Sequence, residues 1–167
     1  MTHLKIEKKI LSIIAMAAVF LMSAAPFSLA GKLPVENVED LKSYITSKNQ
    51  YTNWELWPGT KELYEGTQPH GAFLTTYVND IAQDALQADK DTFPNGSIVV
   101  KENYNKNKKL AAVTAMYKVK DYNPSDGDWY WIKYLPNGQV EAEGKVGSCI
   151  RCHSKMKSKD WVFTEKP

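Results

Sequence analysis

The chain is predicted to be an α+β protein, mostly antiparallel β. It is read as a meander sheet with an N-terminal helix, a short helix before the meander and a C-terminal helix. Three observations predict this. Runs rich in β-branched and aromatic residues lie between Ser97 and Glu143 and are separated by short turn-forming segments. Two stretches of helical periodicity lie upstream, and Cys149-Ile150-Arg151-Cys152-His153 follows the last run directly.

In order along the chain, Val38, Leu41, Tyr44 and Ile45 fall at helical spacing after Pro34 and predict an amphipathic helix over about 35–48. Trp54-Glu55-Leu56-Trp57-Pro58-Gly59 ends regular structure, and 58–71, with Pro58, Gly59, Gly66, Pro69 and Gly71, reads as a long loop. Ala72 to Val78 is extended. Asn79 is placed to cap a short helix whose apolar face is Ile81, Ala82, Ala85 and Leu86, stopped by Phe93-Pro94-Asn95-Gly96. Ser97 to Tyr104 and Leu110 to Val119 form a hairpin around Asn105-Lys106-Asn107-Lys108. Asp121 to Asp128 is a longer turn, Trp129 to Leu135 the third strand, and Pro136-Asn137-Gly138 turns it into a fourth from about Gln139 to Glu143. Ser148 to Lys157 is expected to be helical, its Lys-rich end at the C-terminus where cations are favoured.

The N-terminal 30 residues carry a different message. Lys5, Lys8 and Lys9 precede an apolar run from Ile10 to Met22, and Ser28-Leu29-Ala30 is a small-x-small cleavage signature. The run falls short of the ~20 apolar residues a membrane span needs. Residues 1–30 are therefore expected to be a cleavable signal peptide, with an uncleaved anchor as the alternative, and 31–167 a single domain. In a bacterial cell this address is the periplasm. Of 21 Lys+Arg and 19 Asp+Glu, removal of the signal leaves 18 of each. That near-neutral domain gives no electrostatic footprint for nucleic acid.

Cys149 and Cys152 are the only cysteines. C-x-x-C-H is the spacing at which two thiols add to the two vinyl groups of one haem while the next imidazole reaches the iron. One covalently attached haem c, with His153 as the metal ligand, accounts for the whole cysteine inventory. A thioredoxin-like redox pair and a zinc site completed by His70 or a carboxylate are the competing readings. A second axial ligand would come from His70, in the loop Gln68-Pro69-His70-Gly71, or from Met116 or Met156. Met116 suits the core better, and Met156 lies close to the proximal motif.

An ordered set of segments carries a resemblance. It comprises the Trp-Pro-Gly region, the strand ending Tyr77-Val78-Asn79, Phe93-Pro94-Asn95-Gly96-Ser97-Ile98-Val99-Val100-Lys101-Glu102, Gly127-Asp128-Trp129, Cys149 to His153, and Lys159-Asp160-Trp161-Val162-Phe163-Thr164. Together they resemble the cytochrome P-460 family, which includes the cytochromes c′-beta. The resemblance implies a β-rich homodimer with His153 as proximal ligand and an open distal position. It further implies either hydroxylamine oxidation, with a lysine joined to the porphyrin edge, or nitric oxide binding in an apolar pocket without that link.

Lys101 matches the region that supplies the cross-linking lysine, with Lys118 and Lys120 as poorer alternatives. On strand parity it shares a face with Ser97, Val99 and Asn103, while Ile98, Val100, Glu102 and Tyr104 share the other. A lysine in a strand is commonly a solvated edge residue, and that reading stands beside the cross-link. Glu102 is the candidate distal base, Asn103 a candidate donor to a bound ligand, and Phe73 and Met116 the distal-wall candidates. The other function classes are a gas-binding protein and a six-coordinate electron carrier. In the last, Lys155, Lys157 and Lys159 would dock an acidic redox partner.

Overall fold

The structure is a computed structural model, and it describes residues 38–163. The expected signal peptide lies outside the described residues. Seven strands form one sheet: β1 (Glu55–Leu56), β2 (Tyr64–Glu65), β3 (Phe73–Val78), β4 (Ile98–Tyr104), β5 (Leu110–Lys118), β6 (Trp129–Tyr134) and β7 (Val140–Gly144). Every pairing is antiparallel. The order is β1-β3-β4-β5-β6-β7, with β2 also on β3, so β3 to β7 is a plain meander. Short turns dictate this for β4 to β5 and for β6 to β7, since a parallel neighbour would need a crossover of a dozen residues or more; β3 and β4 pair antiparallel although the longer segment 79–97 joins them.

The pairing register sorts side chains between two faces. Paired residues project to the same side, so Tyr77, Val100 and Ala115 share one face while Val78, Val99, Met116 and Trp131 share the other. Both faces are apolar. On the first, Ile98, Val100, Tyr117 and Ile132 pack against Leu41 of α1 (Val38–Ser43), Ile45 and Tyr51. On the second, Val99, Met116, Trp129 and Trp131 pack against Ala82 and Ala85 of α2 (Asp80–Gln87) and against Trp161 and Val162. Cys149 and Ile150 of α3 (Gly147–His153) lie against that same cluster. The C-x-x-C-H motif thus belongs to the second face.

Asn79 ties α2 to the sheet. Its Oδ1 accepts from Ala82 N–H at 3.1 Å and Ile98 N–H at 2.9 Å, and its Nδ2 donates to Gly96 O at 2.9 Å. One side chain therefore caps the helix and anchors the start of β4.

Several elements depart from the expectation. The segment 58–71 is not one continuous loop, because β2 pairs with β3 inside it, and β1 stands where regular structure was expected to end. α1 is six residues long and continues as a π-helical turn over Tyr44–Lys48. The turn at 121–128 holds a 3-10 turn, Pro124–Asp126, and α3 gives way at Ser154–Lys159 to 3-10 geometry.

Candidate haem site

α3 puts Cys149 and Cys152 three residues apart, hence on neighbouring positions of one helix face, and both thiols are free and half-buried. Burial pushes the Cys149 thiol up from its ordinary value. A redox C-x-x-C needs the opposite, a thiolate stabilised below it. Among the described residues no three His, Cys, Asp or Glu side chains come together to hold a metal ion, so the zinc alternative lacks its donor set there.

His153 closes the helix. Its Nδ1 lies 2.7 Å from the carbonyl oxygen of Trp161. A carbonyl only accepts, so Nδ1 carries the proton and Nε2 is left with a free electron pair. The ring packs against Trp131, centroid to centroid 4.6 Å, and Phe163 at 5.2 Å. Burial, and to a smaller degree the Lys101 charge, lowers its pKa, against the pull of the Trp161 bond. The neutral imidazole that results is the form that binds a metal.

The Trp161 carbonyl is itself held. Asp160, with its side chain 4% exposed, accepts from Lys118 Nζ at 2.5 and 2.7 Å and from Phe93 N–H at 2.8 Å. Its own carbonyl accepts from Trp129 Nε1 at 2.8 Å, and Trp161 N–H donates to Met156 O at 2.9 Å. Gly127, at φ +75°, completes the seat. A Cβ there would stand 2.5 Å from Trp161 Cε3, so only glycine suits both the backbone angle and the space.

Opposite the motif, the second face of β4 presents Lys101 and Asn103. Lys101 pairs with Thr76 and Thr114, and burial brings its ammonium down to about 8. Asn103 Nδ2 donates to Lys101 O at 2.9 Å, Thr114 Oγ1 at 3.2 Å and Ala112 O at 3.3 Å. Its Oδ1 is turned to His70 Nδ1, 2.9 Å away. The His70 ring centroid lies 6.4 Å from that of His153, with the planes at 87°. Burial first, and then the Lys101 charge, brings the His70 imidazole down to about 4.

Other candidates lie elsewhere. Glu102 projects from the first face, away from the motif, and is buried there with Oε1 accepting from Tyr51 OH at 2.9 Å and Oε2 from Tyr104 OH at 2.6 Å. Phe73 pairs with Tyr104 and so shares that face, with Lys108 Nζ 5.2 Å from its ring centroid. Neither walls the space beside His153, because strand alternation sends both to the α1 side. Met116 does project to the motif side, in the cluster with Trp131. Lys118 is committed to Asp160, and Lys120 is exposed. Residues that sequence reasoning missed are Trp161 and Asp160. Trp161 acts through a backbone carbonyl and leaves no residue-type signal.

Glu102→Ala is expected to cost about 1–3 kcal/mol by stranding the buried Tyr51 hydroxyl and the half-buried Tyr104 hydroxyl, with the haem absorption spectrum unchanged. Denaturant unfolding and a spectrum check this, and a spectral shift would place Glu102 at the haem.

The residues present fit a haem. Two thiols and an imidazole with a free Nε2 stand on one helix against an apolar sheet face. The buried indole N–H groups of Trp131 and Trp161 find no acceptor among the described residues, so they are available to a polar edge of a bound group. No curated protein matches the chain. The Cytochrome P460 family does match it, over residues 48–164, a span that takes in His70, Lys101 and the whole C-x-x-C-H motif. The chain belongs to the cytochrome P460 family.

Proposed function

We propose that the protein is an exported mono-haem c-type cytochrome, acting in redox chemistry or binding of small nitrogen compounds such as hydroxylamine and nitric oxide. Cys149 and Cys152 hold the haem covalently and His153 binds the iron. The observation that carries this is the bond from His153 Nδ1 to Trp161 O, which leaves Nε2 unprotonated at the end of the helix that bears both thiols. When bound, the haem supplies one-electron exchange at iron, with its potential set by axial ligands and burial.

This chain's own residues do the rest. Trp161 orients the proximal imidazole, Asp160 and Lys118 hold Trp161, and the tryptophans of the second face exclude water from that side. Lys101 is the lysine to meet the porphyrin edge. Lys155, Lys157 and Lys159 are the docking cations for a redox partner, although Lys159 reaches Asp91 at 3.3 Å and Lys157 lies 5.5 Å over Trp161. A homodimer in the periplasm is part of the same reading.

The test is the absorption spectrum of the ferrous protein, with intact mass in parallel to verify the attached haem, on protein made in cells competent for c-type haem attachment. A Lys101 cross-link is expected to show as a red-shifted Soret band that returns to an ordinary c-haem position in Lys101→Ala. Identical spectra for the two would assign Lys101 no link and favour the binding protein over the hydroxylamine-oxidising enzyme.

A further inference from the structure

We infer that His70 is the second axial ligand of the haem iron, held in ligating form by Asn103, so that the resting site is six-coordinate and a small nitrogen ligand enters only by displacing His70. The inference rests on the haem reading above and deepens it.

Asn103 fixes which nitrogen of His70 is free. Its Nδ2 is committed to the acceptors Lys101 O and Ala112 O and to the Thr114 hydroxyl, which orients the amide so that Oδ1 faces His70. An amide oxygen only accepts. His70 therefore carries its proton on Nδ1, at 2.9 Å, and Nε2 holds a free pair. That is the same tautomer the Trp161 carbonyl imposes on His153. Two half-buried imidazoles, each tied back through Nδ1 to a fixed acceptor, reproduce the arrangement by which proteins orient metal-binding histidines.

Their separation agrees. Imidazoles that share one metal at bonds of about 2.0–2.1 Å have ring centroids roughly 6 Å apart; these lie 6.4 Å apart. The backbone explains how a loop residue gets there. Gly71 packs so tightly on β4 that a Cβ would meet Tyr104 N and O at 2.5 Å, which lays the preceding His70 beside Asn103.

The experiment is electron paramagnetic resonance and absorption on the ferric holoprotein, its covalent haem verified by mass. Wild type is expected to be low-spin, and His70→Ala to lose the low-spin signal and regain it with free imidazole. Lys101→Met is expected to stay low-spin. A high-spin wild type overturns the inference without needing any variant. So does a low-spin signal that survives His70→Ala and disappears in Lys101→Met. Covalent haem in the high-spin state defeats this inference alone, whereas a chain mass without haem defeats the underlying reading too.

Discussion

Asp160→Ala is expected to destabilise the protein by about 3–5 kcal/mol, the cost of stranding one member of a buried ion pair. The Lys118 and Asp160 side chains are 13% and 4% exposed, and among the described residues Lys118 Nζ has only Gly127 O, at 2.7 Å, as a further acceptor. Phe93 N–H loses its partner as well. Lys118→Met in the Asp160→Ala background is expected to recover much of the loss, since replacing both charges removes the unpaired one. Urea unfolding of the single and double variants measures this. A single-variant cost under about 1 kcal/mol, the worth of an exposed pair, would show the network to be solvated.

The same substitution reaches the site. Asp160 and Trp161 both have positive φ, 53° and 60°, a conformation that persists only when its surroundings impose it. With the carboxylate gone, the Trp161 carbonyl loses its fixed position and His153 its orienting acceptor. A shifted haem spectrum in Asp160→Ala is therefore expected at temperatures where the variant is still folded.

The other large effect is chemical. In Cys149→Ser/Cys152→Ser the haem is expected to lose both thioether bonds, so that with Lys101→Ala added, which removes the porphyrin-edge link as well, acidified organic solvent extracts all of it; each single cysteine variant retains one thioether and resists. The variant chain is expected to keep its fold, because both thiols are half-buried and Cys149 lies at the rim of the Trp131 cluster rather than its centre. Solvent extraction and intact mass check the first point and far-ultraviolet circular dichroism the second. Covalent haem in the variant that lacks both thiols and Lys101 would relocate the attachment.

How much of this the sequence shows depends on how local each signal is. β4 to β7 were legible because apolar runs and turn residues such as Pro136-Asn137-Gly138 are neighbours in the chain. β1 and β2, two residues each, are too short for any periodicity and exist only because β3 offers them an edge. Alternation separated Lys101 from Glu102, but apolar residues lie on both faces of β4, so parity could not say which face meets α3. The two covering helices decide that, and they place Lys101, not Glu102, beside His153.

The C-x-x-C-H motif was legible because its five residues are contiguous. His70 could be named only as one of three candidate ligands. Its significance comes from Asn103, 33 residues away, and from Gly71 lying on the Tyr104 backbone, neither of which has a sequence signature.

The most direct test of the central claim is the intact mass of the wild-type protein, denatured, after production in cells that attach c-type haem. The account predicts the processed polypeptide plus one haem that survives unfolding. The mass of the bare polypeptide, with any haem lost on denaturation, would contradict it.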